Sequence, residues 1–178
     1  ISDRWTAYLW VDVVRRQLCW AHLGRDFEKM KDRRGLAQPI GDRLLALMRE
    51  LFALWHHHRD GIISRALLIR LAAPLRVEVV ACLHDGLRVP NIAGMCRNIL
   101  KLEKALWTFL EIEGVEPTNN LAEQDIRKYV LWRLRSFGTN SDRGDRFVER
   151  ILTVEATCRK QGRDLFAVQD LVLQKRLG

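Results

Sequence analysis

Apolar residues recur at helical spacing along three stretches in the middle of the sequence, and this periodicity constrains the fold more than any other feature. The first stretch, residues 40–58, carries a broad apolar face made of Leu44, Leu45, Leu47, Met48, Leu51, Phe52 and Trp55. The second covers residues 63–84, where Pro74 is expected to end or kink the helix. The third covers residues 92–111. Three helices joined by short loops predict a helical hairpin or a small bundle.

The sequence on either side of this helical region has a different texture. Residues 16–20 are typical of a short strand, and residues 21–31 of a helix. Beyond the helical region, a helix that contains Glu123 is followed by a polar, glycine-bearing loop over residues 136–144. Two amphipathic helices complete the chain, and Asp164 is placed to cap the second of them.

The overall charge of the chain indicates a polyanionic partner. Its 178 residues suit one domain or slightly more, and the formal net charge is +8. Nucleic acid is the first expectation and an anionic membrane surface the second, while a basic surface kept only for solubility is the alternative. Neither a membrane-spanning run nor a signal peptide is recognisable, and four scattered cysteines suit buried free thiols in a reducing cytoplasm.

Two carboxylates are candidates for metal binding or catalysis. Glu123 lies three residues after Asn120, which is the spacing of a capping box, so it is either a helix-capping residue or a metal ligand. Asp3 precedes an aromatic, strand-like stretch. Phosphodiester chemistry by two divalent ions needs several carboxylates, and these two would be part of such a site. Weaker candidates are Asp12, Asp26 and Asp125.

Other metal and nucleophile patterns are weak. The Cys19–His22 pair is half of a zinc site without a second half, and three consecutive histidines, residues 56–58, cannot all face one ion on a helix. Phosphate-binding glycine loops and nucleophile-elbow motifs are not found in the sequence.

Basic residues cluster around the Glu123 helix and the loop after it. They are Arg127, Lys128, Arg133, Arg135, Arg143 and Arg146. Tyr129 and Trp132 are interleaved with them. Basic side chains position a nucleic-acid backbone and aromatic rings stack on unpaired bases, so the cluster predicts DNA contact. The alternative is a solvated basic face with Trp132 in the core.

Four segments resemble the insertion-sequence 66 family of transposases. They are residues 2–8 (SDRWTAY), 16–27 (RQLCWAHLGRDF), 119–123 (NNLAE) and 136–152, the last of which begins SFGT and ends RFVERIL. The resemblance implies a mainly α fold with a partial RNase H-like α/β core and a helical insertion. It divides the chain into a core remnant (residues 1–35), the insertion (36–113) and C-terminal core helices (114–178).

The same resemblance implies a catalytic role for Asp3 and Glu123. They correspond to the second and third members of an Asp-Asp-Glu triad that binds two Mg²⁺ or Mn²⁺ ions for cleavage and strand transfer in DNA. The first aspartate of the triad has no counterpart in this sequence, so we expect a transposase fragment that does not cleave DNA alone. Its partners would be transposon ends and, in the intact enzyme, further copies of the chain. Its expected location is the cytoplasm.

Two alternatives to the transposase interpretation remain at this point. One is a basic helical module that binds DNA without catalysis. The other is a helical protein-interaction domain whose charge is incidental. The transposase and the DNA-binding module both predict salt-sensitive DNA binding, and the protein-interaction domain predicts none.

Overall fold

Eight α-helices account for most of the residues that the structure describes. The structure is a computed structural model that describes residues 1–2 and 10–177, without the side chains of residues 121–122 and 176–177. The chain divides into two compact units, Ile1–Asn119 and Asn120–Gly178. The mainly α character predicted from the periodicity is confirmed. None of the described helices is both long and apolar enough to cross a lipid bilayer.

The first unit consists of helices packed in the order in which they follow along the chain. They are α1 (Trp20–Asp32), α2 (Ala37–Arg59), α3 (Arg65–Gly86), α4 (Pro90–Leu100) and the short α5 (Thr108–Glu111). Helix α1 packs on α2, α2 on α3 and α3 on α4, as the short loops predict. The predicted apolar face of α2 supplies five buried residues, Leu44, Leu45, Leu47, Leu51 and Trp55.

Pro74 does not end α3, although the sequence predicts a break or kink there. The helix runs from Arg65 to Gly86 with Pro74 on its exposed side. A proline inside a helix costs about 3 kcal/mol. Leu68, Leu75 and Val79 are buried on the opposite side. Each such side chain contributes roughly 1.5–3 kcal/mol, so packing outweighs the cost of the proline.

The predicted third helix, residues 92–111, is wrong in its second half. Helix α4 ends at Leu100, and a 3₁₀ turn (Glu103–Leu106) and α5 follow. The reason is tertiary, because the carbonyl oxygens of Ala105 and Leu106 accept hydrogen bonds from residues 17–20. Carbonyl oxygens that accept these bonds point away from the hydrogen bonds that a continuous α-helix would make.

The predicted strand at residues 16–20 is also wrong. The described residues contain one isolated parallel bridge, between Ser2 and Leu18, and helix α1 already begins at Trp20. Residue 18 bonds on its other side to the Ala105 carbonyl (2.7 Å), which belongs to a 3₁₀ turn and not to a strand. The RNase H-like sheet implied by the resemblance is therefore not seen in residues 1–2 and 10–177.

A buried glutamine joins the two ends of this helical region. The Gln17 side-chain amide donates to the carbonyl oxygens of Leu18 (2.7 Å) and Leu106 (3.1 Å). Its Oε1 accepts from the backbone N–H of Phe109 (2.8 Å), in the first turn of α5, where a helix supplies no partner of its own. We call these three bonds the Gln17 clamp. The Trp20 indole also donates to Leu106, at 2.9 Å, and so links the same two segments.

The second unit contains three helices, the last two of which have recognisable N-caps. They are α6 (Asn120–Ser136), α7 (Asp142–Lys160) and α8 (Leu165–Leu177). Ser141 caps α7 by accepting from the Gly144 amide, and Asp164 caps α8 by accepting from the Ala167 amide at 2.8 Å. The predicted cap of the last helix is thus confirmed. Gly162, at φ +64°, provides the left-handed turn after α7.

All four cysteines are free and buried, as the sequence predicts. Burial is the main cause that raises the pKa of the Cys82 thiol to about 11. A thiol in this state remains protonated at neutral pH and behaves as a small apolar side chain.

Candidate nucleic-acid interface

The two candidate catalytic carboxylates differ in what the structure says about them. Asp3 lies outside the described residues, as do residues 4–9. Its neighbour Ser2 is fixed against the segment before α1, since Ser2 N–H donates to the Gln17 carbonyl and the Cys19 N–H donates to the Ser2 carbonyl, both at 2.9 Å. Glu123 is half-buried in the first turn of α6.

The start of α6 differs by one residue from the predicted cap. The helix begins at Asn120, so Asn119 and not Asn120 occupies the position before it. The Asn119 side-chain oxygen is buried and accepts no hydrogen bond from the residues that the structure describes. A buried acceptor without a donor costs about 1–3 kcal/mol, so this position is not explained by helix capping.

The segment that leads to Glu123 is anchored beside the one that leads to Asp3. The Pro117 carbonyl accepts from the backbone N–H of Trp20 at 3.0 Å. The preceding amide along the chain, that of Cys19, donates to Ser2. Two successive backbone amides at the start of α1 thus bind Ser2 and Pro117, and all four residues belong to the first unit.

The weaker carboxylate candidates all have structural roles. Asp12 accepts from the Val14 amide at 3.1 Å and caps a 3₁₀ turn. Asp26 lies 3.3 Å from the Lys29 ammonium. Among the described residues, no group of three or more His, Cys, Asp or Glu side chains is placed to hold a metal ion.

Asp125 holds α6 to α7. Its carboxylate pairs with Arg159 at 2.9 Å and with Lys160 at 2.5 Å, both near the end of α7. The hydrogen bond from Lys160 is the main cause that lowers the pKa of Asp125 below its ordinary value. A second ion pair, Lys128 with Glu155, lies one turn further along α6. These contacts fix the two helices side by side within the second unit.

The predicted DNA-contacting residues fall into two groups. All six are exposed: Arg127, Lys128, Arg133, Arg135, Arg143 and Arg146. Lys128 is engaged with Glu155. The five arginines have no carboxylate partner in the described part of the chain. We call these five the arginine surface.

One side of α7 carries a further exposed arginine, Arg150, which the sequence-based prediction does not include. Arg143, Arg146 and Arg150 recur at intervals of three and four, so they share one side of the helix. They line an open cavity of about 570 Å³ together with Asp142 and Phe147. The spacing of Arg150 from Arg143 was the signal that could have revealed it.

The aromatic residues interleaved with the arginines, Tyr129 and Trp132, lie between α6 and α7. Tyr129 and Trp132 are stacked, with ring centroids 5.9 Å apart and planes 27° apart. Both line a cavity of about 270 Å³ with residues of α7, among them Phe147 and Ile151. Trp132 is 40% exposed, which places it at the margin of this helix pair.

A sequence comparison defines the class of protein to which these residues belong. Residues 1–146 match the sequence model of a family of transposases, and the match includes Asp3, Glu123 and the whole arginine surface. Because the match covers more than half of the chain, the chain belongs to this family, described as the Transposase IS66 family. Comparisons with curated proteins and with solved structures found no match.

Proposed function

We propose that the chain acts in DNA transposition and that its second unit binds DNA through the arginine surface. The observation that carries this proposal is the set of five exposed arginines, none of which has a carboxylate partner among the described residues, in a chain that belongs to a transposase family. Guanidinium groups bind phosphate oxygens in a bidentate manner, and an arginine already paired with a carboxylate would have to give up that pair first.

The chemistry that we propose for the site is metal-dependent cleavage and joining of phosphodiesters, with Asp3 and Glu123 as ligands. Family membership and the adjacent anchoring of Ser2 and Pro117 at the start of α1 support it. Carboxylate oxygens are the donors that Mg²⁺ prefers. Two carboxylates are fewer than a two-metal site uses, so the donor type fits while the donor set is incomplete, and we derive no catalytic step through the metal.

DNA binding is tested by fluorescence anisotropy with a labelled duplex over a range of salt concentrations. Each phosphate contact contributes a slope of about −0.9 to the plot of log affinity against log salt. The double variant Arg143→Ala/Arg146→Ala should bind more weakly, with a slope shallower by about 2. The matched control is Arg70→Ala/Arg97→Ala, which removes the same charge from exposed positions in the first unit.

The two double variants separate specific contact from general charge. If both weaken binding equally, the net charge and not the arginine surface is responsible, and the proposal is wrong. A parent chain without salt-sensitive DNA binding would refute the proposal more directly.

A non-catalytic DNA-binding module is the second candidate, because the same arginines support it without any carboxylate. Mg²⁺- or Mn²⁺-dependent nicking that is lost on Glu123→Gln, with DNA affinity retained, would favour the catalytic proposal. DNA binding without any Mg²⁺- or Mn²⁺-dependent nicking would favour the module.

A further inference from the structure

The turn between α6 and α7 is fastened to both helices. At its start, the Ser136 hydroxyl donates to the Trp132 carbonyl at 2.9 Å. Near its end, the Thr139 hydroxyl bonds to the Asp145 carboxylate, and the Ser141 hydroxyl accepts from a backbone N–H in the first turn of α7. A turn held in this way presents whatever lies between these bonds in a defined position.

Phe137 lies between these bonds, and the contacts within the second unit do not account for a phenylalanine there. Its backbone is in the left-handed region, at φ +62°, followed by Gly138 at φ +82°. Bulky residues rarely adopt this conformation, whereas glycine and asparagine do so readily. The phenyl ring is 93% exposed, so burial does not offset the unfavourable backbone.

The arginine surface flanks this turn on both sides along the chain. Arg133 and Arg135 lie in the last turn of α6, and Arg143 and Arg146 in the first turns of α7. The aliphatic part of Arg133 lies against the turn, because a Cβ at Gly138 would be 3.5 Å from Arg133 Cγ. An exposed aromatic ring is therefore flanked along the chain by cations that have no carboxylate partner in the described residues.

We propose that Phe137 stacks on an unpaired base of DNA whose phosphates are bound by the arginine surface. This inference rests on the proposed function and adds the structure of the DNA that the site prefers. In a duplex, each base face is covered by the next base pair, so a stacking side chain finds a partner at a frayed end, a fork or a single-stranded extension. A basic groove combined with an aromatic platform is the usual arrangement for unpaired strands.

The experiment compares two labelled DNAs that share one duplex, one blunt and one with a short single-stranded extension. The parent chain should prefer the extended DNA by at least about fivefold, the lower range for stacking of one base on an aromatic side chain. Phe137→Ala should remove this preference while blunt-duplex binding changes little, and Phe137→Trp should retain it. Phe166→Ala is the matched control, since Phe166 is 72% exposed and belongs to a different helix, α8.

Phe137→Asn guards against a folding artefact. Asparagine tolerates the left-handed backbone, so this variant should melt no lower than the parent and still lose the preference for extended DNA. An unchanged affinity ratio in Phe137→Ala would overturn the inference while leaving DNA binding intact. Failure of the parent to bind either DNA would instead refute the proposed function, and the inference with it.

The alternative binding partner for the Phe137 ring is a second copy of the chain. Sedimentation velocity without DNA distinguishes it. The parent and Phe137→Ala should show the same mass, and a parent oligomer that Phe137→Ala dissociates would overturn base stacking.

Discussion

Replacing Gln17 by alanine should destabilise the first unit by about 3 kcal/mol or more. The Gln17 side chain is 2% exposed and makes the three hydrogen bonds of the clamp. Each contributes about 1 kcal/mol on average, and the sum is about 3 kcal/mol before the cost of the cavity left by the side chain. Leu106 keeps its bond from Trp20, but the Phe109 amide loses its acceptor in a buried position.

Urea unfolding followed by tryptophan emission measures this loss. Trp20 and Trp107 are buried with ring centroids 5.2 Å apart, so their emission reports on the first unit near the clamp. At about 3 °C of Tm per kcal/mol for a unit of this size, thermal melting should fall by about 10 °C. Gln38→Ala, at an exposed position of α2, is the control and should stay within about 0.5 kcal/mol of the parent.

A loss below about 1 kcal/mol in Gln17→Ala would refute the reasoning, because it would mean that the clamp contributes no more than one average hydrogen bond. Equal losses in the Gln17 and Gln38 variants would point to helix or solvation effects that have nothing to do with the clamp.

Three further predictions concern other positions. A Cβ at Gly86 would lie 2.4 Å from Cys96 Sγ, whereas one at Gly94 meets nothing within 4 Å. In urea unfolding, Gly86→Ala should therefore cost about 1–3 kcal/mol and Gly94→Ala should gain about 0.5–1 kcal/mol, and equal effects would contradict the packing argument. A lysine hydrogen bond lowers the pKa of Asp125 from 3.8, so its ion pairs stabilise the second unit above that pH and are lost as the pH falls through the lowered pKa. Acid titration by circular dichroism should show Asp125→Asn and the parent converging at low pH, and a constant difference would be inconsistent with this linkage. Nicking assays with Mg²⁺ or Mn²⁺ should show no cleavage by the chain alone, since the resemblance supplies two triad members; nicking that Glu123→Gln abolishes would show the opposite.

The parts of the fold that the sequence predicts well are those set by local periodicity. Helices α1 and α2 follow directly from the spacing of their apolar residues, and the Asp164 cap follows from a local hydrogen bond. The errors lie where distant contacts decide. The break after Leu100 depends on hydrogen bonds from residues 17–20, and Pro74 is tolerated because the opposite side of α3 is buried.

The candidate site was predictable in composition but not in arrangement. The sequence identifies the basic residues, yet it does not show that Lys128 pairs with Glu155 across two helices while the arginine surface has no such partner in the described part of the chain. The spacing of Arg150 from Arg143 and Arg146 is visible in the sequence and places it on the same side of α7. The exposure of Phe137 depends on the backbone of one turn, which a pattern of apolar residues does not specify.

The hydrogen bond from Leu18 N–H to the Ala105 carbonyl, 2.7 Å long, has a consequence for how this protein can vary. After Leu18 the chain forms helices α1 to α4, and at Ala105 it returns to within hydrogen-bond distance of Leu18. The two ends of this helical segment therefore meet. Segments whose ends meet tolerate insertion, shortening or replacement, because the flanking backbone need not move. Lengthening α2 and α3 together at the Gly61 turn should therefore leave Ser2 and Pro117 in place. These two helices can then be exchanged for longer or shorter ones without moving the residues that hold the ends of the segment.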